Sequence, residues 1–229
     1  FEVREPVVPG PGDAELVGSF SNLTYDQYRG IRFRRDRDPW AGSRDFAMDL
    51  LAPGAIFHEP VDISLVDEGV VIPVKFDPHM FEFDPAHFPD GVDYETVGNM
   101  GFSGFRLRAP LNRPDVMDEF AVFQGASYFR AVARGTLYGI SARGLAIGTG
   151  SAEGEEFPLF RGFWIHKPSD QDRYVTIHAL LDSRSVSGAF EFRITPGAET
   201  VFDTRVALFP RQDMNNAGIA PLTSMYWFG

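Results

Sequence analysis

The chain has 229 residues, 44% of them apolar, enough for one large domain or two small ones with a full core. Its net charge of −11, from 21 Lys+Arg against 32 Asp+Glu, argues against a nucleic-acid partner, which needs a basic footprint. There is no cysteine, so thiol chemistry and disulfides are excluded, and no apolar run is long enough for stable membrane insertion.

Residues 1–21 are acidic and rich in Pro and Gly. They read as an extended arm on a single domain spanning 22–229. The first residue is Phe1 rather than Met, which points to a trimmed N-terminus. Thr24 and Gln27 have capping-box spacing, so a short helix is expected over 25–29, ended by Gly30. From Ile31 the pattern has period two. Ile31 and Phe33 alternate with Arg32 and Arg34, Phe46, Met48 and Leu50 with Ala47 and Asp49, and Val61, Ile63 and Leu65 with Asp62 and Ser64. Such alternation marks half-buried antiparallel strands. Residues 77–104 break the rhythm, because Pro78, Pro85, Pro89 and Gly91 oppose regular structure. A long loop with one helical turn near 94–99 is expected there. Its aromatics either plug one end of the fold or serve a site.

Residues 123–164 interleave aromatics, arginines and glycines more densely than a core requires. Phe129, Ala131 and Ala133 fall on one strand face, and Tyr128, Arg130, Val132 and Arg134 on the other. That second face is either solvated or the floor of a groove. Planar apolar rings beside bidentate donors and acceptors suit a sugar, whose faces are apolar and whose rim is hydroxyls. Tyr128, Tyr138 and Trp164 are candidates to stack on sugar faces, or else core residues. Arg143, Arg161, Glu155 and Glu156 are candidates to bond hydroxyls, or else ion pairs that hold loops.

Strands then resume. Val175, Ile177, Ala179 and Leu181 share one face, and Phe190, Phe192 and Ile194 alternate with Ala189, Glu191 and Arg193. A turn at 195–198 leads to a return strand marked by Phe202, Val206 and Leu208. Roughly a dozen strands at this spacing predict an all-β, large, mainly antiparallel sandwich with few short helices. The aromatic end, Tyr226, Trp227 and Phe228, is expected to pack against something that follows.

No phosphate-binding loop, serine elbow, zinc signature or dinucleotide fingerprint is present. The five histidines lack metal-ligand spacing, so no metal and no other cofactor is expected. Carboxylates remain: Asp49, Glu59, Glu155, Glu156, Asp182 and Asp203. Glycoside hydrolysis needs two of them on opposite sides of the bond. Neighbours on a strand point to opposite faces, so Glu155 and Glu156 do not make such a pair. Asp182 reads as a turn residue capping its own backbone.

The stretch FQGASYFRAVARGTLYGISARGLAIGTG…GEEFPLFRGFW resembles the periplasmic glucan biosynthesis family MdoG/OpgG and its D paralogue. So do NLTYDQYRGIRF (22–33), GFSGFRL (101–107), ALLDSRSVSGAFEF (179–192) and GIAPLTSMYWFG (218–229). The resemblance implies a periplasmic protein of Gram-negative bacteria. Its partner would be an osmoregulated periplasmic glucan with a β-1,2-linked backbone, and a homodimer is compatible with it. The implied fold is a large N-terminal β-sandwich with a cleft, joined to a smaller immunoglobulin-like one. Some members resemble this chain but are inverting endo-β-1,2-glucanases using two aspartates, in segments like HDSDGL that follow the PLTSM stretch. By that resemblance no catalytic residue is expected within the chain, the acid and base lie downstream of Gly229, and this chain alone is inactive. The alternative is a non-catalytic glucan-binding or scaffold protein, and a blander one is a generic β-sandwich interaction module.

Overall fold

The computed structural model describes residues 16, 20–97, 100–152 and 154–223. The expected arm, apart from Leu16, Phe20 and Ser21, and the aromatic end at 226–228 lie outside the described residues. The capping box forms as its spacing predicts. Thr24 Oγ1 accepts from the Gln27 N–H at 3.3 Å, and Gln27 Oε1 accepts from the Thr24 N–H at 2.9 Å. These bonds satisfy donors that the first turn leaves free, and α1 (Tyr25–Arg29) follows, stopped at Gly30.

The strands run in chain order as β1 (Ile31–Phe33), β2 (Ala47–Leu51), β3 (Asp62–Asp67), β4 (Val70–Pro73), β5 (Phe81–Phe83), β6 (Gly104–Ala109) and β7 (Asp118–Gln124), with α2 (Tyr94–Val97) between β5 and β6. They continue as β8 (Tyr128–Ala131), β9 (Ile140–Arg143), β10 (Leu145–Ile147), β11 (Leu159–His166), β12 (Val175–Asp182), β13 (Val186–Thr195) and β14 (Val201–Pro210), then β15 (Ala217–Ile219) and β16 (Leu222–Thr223). The 77–104 stretch is more regular than its prolines suggest. Pro78 opens a short 3-10 turn, where a missing N–H costs little, so β5 is free to pair antiparallel with β1. Phe76, Phe81 and Phe88 are buried. Phe76 and Phe88 pack into the core, whereas Phe81, buried too, also borders a surface groove.

Two six-stranded sheets form the sandwich. The first has the order β14-β13-β12-β11-β3-β4 and the second β16-β9-β8-β7-β6-β2. The fold is all-β and mainly antiparallel, the β11–β3 pair being parallel. Inward faces follow the period-two pattern. Val175, Ile177, Ala179 and Leu181 of β12 and Phe190, Phe192 and Ile194 of β13 are buried against Met48, Leu50, Phe105, Leu107, Ala121 and Phe123 of the second sheet. Phe123 is the hub. Its ring centroid lies 5.1 Å from Phe105, 5.5 Å from Phe163 and 5.2 Å from Phe192, so one ring touches both sheets. Gly104 allows β6 to close on β7 at this point. Its φ is +155°, and a Cβ there would stand 2.0 Å from the Phe123 carbonyl oxygen.

Phe123→Ala would leave a cavity bounded by aromatic rings of both sheets. It is expected to lower stability by about 3–5 kcal/mol, read as the shift in the urea midpoint. A loss below about 1 kcal/mol would contradict the hub role.

Candidate functional site

The second sheet turns its other face outward, and that face is the floor of a groove. Asp49, Arg106, Val122, Arg130 and Ser141 stand in one cross-strand row from β2 to β9. Arg106, Val122, Arg130 and Ser141 line a depression of about 590 Å³ together with Glu119 and Tyr128. A second depression of about 790 Å³ shares Leu51, Ile56, Phe57, Arg106, Gln124 and Arg130 with it, so the two are continuous. One wall is α1 and β1, which contribute Tyr28, Arg29 and Arg32.

The wall is fastened to the floor by a small polar network. Gln124 Nε2 donates to Tyr28 Oη at 2.7 Å and to Ser103 Oγ at 2.8 Å. Tyr28 Oη donates to the Ala52 carbonyl at 2.9 Å, and Ser103 Oγ donates to the same carbonyl at 2.7 Å. Burial pushes the Tyr28 phenol up, partly offset by the hydrogen bonds with Ser103 and Gln124, so it stays a donor. Segment 52–57 bends back through paired bonds between Gly54 and Phe57. At Gly54 φ is +140°, and a Cβ would come within 2.7 Å of Leu23 Cδ1. Only glycine fits that bend without displacing its neighbours. Ile56 is left 82% exposed at the groove rim.

The floor is held by charge. Asp49 is 3% exposed and sits between two guanidinium groups, with Oδ2 at 2.6 Å from Arg106 Nε and Oδ1 at 2.7 Å from Arg108 Nη2. Arg106 Nη1 also reaches to 3.7 Å from Glu119 Oε2. Burial pushes the Glu119 carboxyl above the usual carboxylate range, and the charges of Arg106 and Arg130 offset only part of that. The arrangement presents a flat tyrosine ring, apolar rim residues, guanidinium donors, an amide, a hydroxyl and a carboxyl in one open channel. That set can hold a polyhydroxylated ring by face and edge together.

The residues expected from the sequence are distributed over several places. Tyr128, Arg143 and Glu155 come together. Tyr128 and Arg143 are opposite each other in β8 and β9, and the guanidinium carbon lies 5.2 Å from the Tyr128 ring centroid and 4.9 Å from that of Phe157. Arg143 is ion-paired with Glu155, whose Oε1 also accepts from Thr149 Oγ1 at 3.1 Å. Glu155 and Glu156 both line a separate polar depression of about 610 Å³, where Glu156 makes bonds of its own. It accepts from the Ser185 N–H at 2.8 Å and from Ser185 Oγ at 2.6 Å. Burial works to raise its pKa, but these bonds, with Arg184 nearby, hold it below the ordinary value. Arg161 occupies the bulge of β11 and donates to Glu59 at 3.1 Å. Trp164 lies on the outer face of the first sheet, opposite His178, on the far side of the sandwich from the groove. Tyr138 is 89% exposed in the β8–β9 connection.

Asp182 corrects its reading as a self-capping turn residue. It ends β12, is 4% exposed and is paired with Arg211 at 2.7 Å. The groove residues that sequence reasoning passed over are Tyr28, Ile56, Phe57, Arg106, Glu119 and Gln124. The available signal was the alternation of Phe105 and Leu107 with Arg106 and Arg108, which puts both arginines on the face away from the core. His166 and His178 also meet, Nε2 to Nδ1 at 3.0 Å, although no spacing announced it. Among the described residues no cluster of three or more metal-ligating side chains occurs.

A family model described as periplasmic glucan biosynthesis protein, MdoG, matches residues 9–229. The glucans biosynthesis protein G of Bradyrhizobium diazoefficiens is 45% identical over 218 residues, 95% of this chain and 42% of the relative. Its namesake in Vibrio cholerae is 44% identical over 212 residues, 92% of this chain and 38% of the relative. That of Ralstonia nicotianae is 43% identical over 215 residues, 93% and 42% of the two chains. The chain spans about two fifths of the length of the curated relatives it matches.

Two substitutions separate the roles of the floor carboxylates. Asp49→Ala would leave the Arg108 guanidinium as an uncompensated buried charge, with an expected loss of about 3–5 kcal/mol in urea unfolding. Glu119→Gln is expected to raise the urea midpoint at pH 7, because the ionised carboxylate there pays for its burial. The gain should fade as pH falls below the ordinary carboxylate range, where Glu119 is protonated in folded and unfolded chains alike. A gain that persists at low pH would contradict the burial account.

Proposed function

The chain belongs to the periplasmic glucan biosynthesis protein family, and on that premise we propose that the groove on the outer face of the second sheet holds a β-1,2-linked glucan in the periplasm. The observation that carries this reading is the pairing, within one open channel, of the Tyr128 ring and the Ile56–Phe57 rim with Arg106, Glu119, Gln124, Arg130 and Ser141. Apolar surfaces meet sugar faces, and the polar groups meet the hydroxyl rim. Arg143 and Glu155 act one step back, holding Tyr128 at its angle.

In the complete protein the reaction is inverting endo-hydrolysis of that glucan. One carboxylic acid protonates the leaving oxygen while a carboxylate on the opposite face activates water. Among the described groove-lining residues Glu119 is the sole carboxylate. The groove thus offers no pair of its own, and in line with the family resemblance both catalytic carboxyl groups are assigned to the part of the relatives that this chain does not cover, while this chain binds and orients. The same observation favours a second reading, in which the parent protein holds glucan for the biosynthetic machinery without cutting it.

The test is to titrate the protein with linear β-1,2-glucan by calorimetry and follow glucan chain length by chromatography. Saturable binding with unchanged chain length is expected. Tyr128→Ala should weaken binding about tenfold, the loss of one aromatic contact, while Tyr128→Phe should retain it. Shortened products would place a catalytic pair within these residues. No binding would sink the groove reading.

A further inference from the structure

The face of the sandwich opposite the groove carries two facing histidines. Ile165 of β11 and Ile177 and Ala179 of β12 are buried, so period two turns His166 and His178 outward. Trp164 stands opposite His178 and Ile165 opposite Ile177. His166 and His178 are therefore diagonal neighbours across the two strands, a separation that long side chains span. They meet: His166 Nε2 lies 3.0 Å from His178 Nδ1, while the ring centres are 5.0 Å apart. Each ring turns a nitrogen toward the other.

That separation is one that two imidazoles take on a single metal ion. At a metal–nitrogen length of about 2.0–2.1 Å, nitrogens on neighbouring square or tetrahedral positions stand about 2.9–3.4 Å apart. An ion can therefore replace the proton between the rings with no movement of the backbone. The other nitrogen of His178 has a partner as well. Its Nε2 faces Glu191 Oε2 at 3.7 Å, and Glu191 stands directly opposite His178 in β13. A carboxylate at that position favours the proton on Nε2 and leaves the lone pair on Nδ1, the nitrogen that faces His166. Arg193 Nε lies 3.5 Å from Glu191 Oε1, and the same guanidinium lies over the Tyr174 ring at 5.5 Å. Its positive charge is thereby already matched. Both histidines are half-buried, so water reaches the space between them.

We propose that His166 and His178 form a two-histidine site for a divalent transition-metal ion, with Glu191 orienting His178 from behind. Imidazole nitrogen selects zinc, copper or nickel over magnesium and calcium, which prefer oxygen. Two protein ligands with water in the remaining positions make an exchangeable site, and the bound ion clips β11 to β12. The inference is independent of the glucan reading, since the groove lies on the other sheet.

The experiment titrates chelator-treated protein with zinc chloride by calorimetry and, in parallel, loads it with one equivalent of Cu²⁺ for electron paramagnetic resonance. One ion per chain is expected, with a copper spectrum split by two imidazole nitrogens. His166→Gln and His178→Gln change half-buried positions on an outer sheet face, so both should fold, and each should weaken zinc binding by about tenfold or more. Glu191→Gln, behind the ligand rather than on the ion, should weaken it by about tenfold. Calcium in about tenfold excess should leave zinc binding unchanged. Zinc that fails to bind below about 1 mM would overturn the inference. So would a copper spectrum with fewer than two nitrogens, or a histidine variant that binds zinc as tightly as the unaltered protein; the histidines are then a hydrogen-bonded pair only. If calcium displaces the zinc, the ion sits on carboxylates and the histidine assignment falls.

Discussion

Phe123 stands where the two sheets meet, fully buried, with rings of β6, β11 and β13 around it at 5.1 to 5.5 Å. Aromatic rings at these separations bury large areas and lock by edge-to-face geometry. β7 therefore cannot slide or rotate without breaking contacts to both sheets. A one-residue slip in β7 would exchange its faces. Phe123 and Ala121 would leave the core, and Val122 and Gln124 would leave the groove. The same strand thus fixes core and site, and the register demanded by one side determines the other.

On the outer side the fixing agent is charge rather than packing. Asp49 is buried against Arg106 and Arg108, and such a pair is worth little for stability compared with apolar packing, though breaking it is expensive. What the pair supplies is direction. Arg106 is held across the floor, close to Glu119, and Gln124 is held by Tyr28 and Ser103. Polar groups held in place before a ligand arrives lose little freedom when it binds. A glucan is flexible and heavily hydrated, so a site that recognises it gains most from such preorganised donors and acceptors.

The sheet strands were legible because period two is a covalent property of an extended chain, and burial alternates between faces in β12 and β13. The groove was only half legible. Alternation put Tyr128 and Arg130 on one face, but the partners of that face are distant in sequence. Arg106 meets Asp49 across 57 residues, and Gln124 meets Tyr28 across 96. No local pattern encodes such separations. Trp164 shows a second limit. The bulge at Arg161 shifts the phase of β11, so Phe160 and Phe163 both face inward and Trp164 turns to the opposite side of the sandwich from Tyr128. Aromatic composition alone cannot say which face a ring takes. β5 was hidden for a simpler reason, since Pro78 and Pro85 on either side of it read as loop, and its pairing with the legible β1 was hidden with it.

Family membership links the chain to glucan biosynthesis, and the groove we propose for the glucan lies on one side of the sandwich. The most direct test is amide hydrogen exchange with and without linear β-1,2-glucan. Bound glucan should slow exchange in segment 52–57, α1 and the strands β7 to β9, and leave the outer face of β11 and β12 around Trp164 unchanged. Protection centred on Trp164 and His178, with the groove unaffected, would place the glucan on the first sheet and contradict the account.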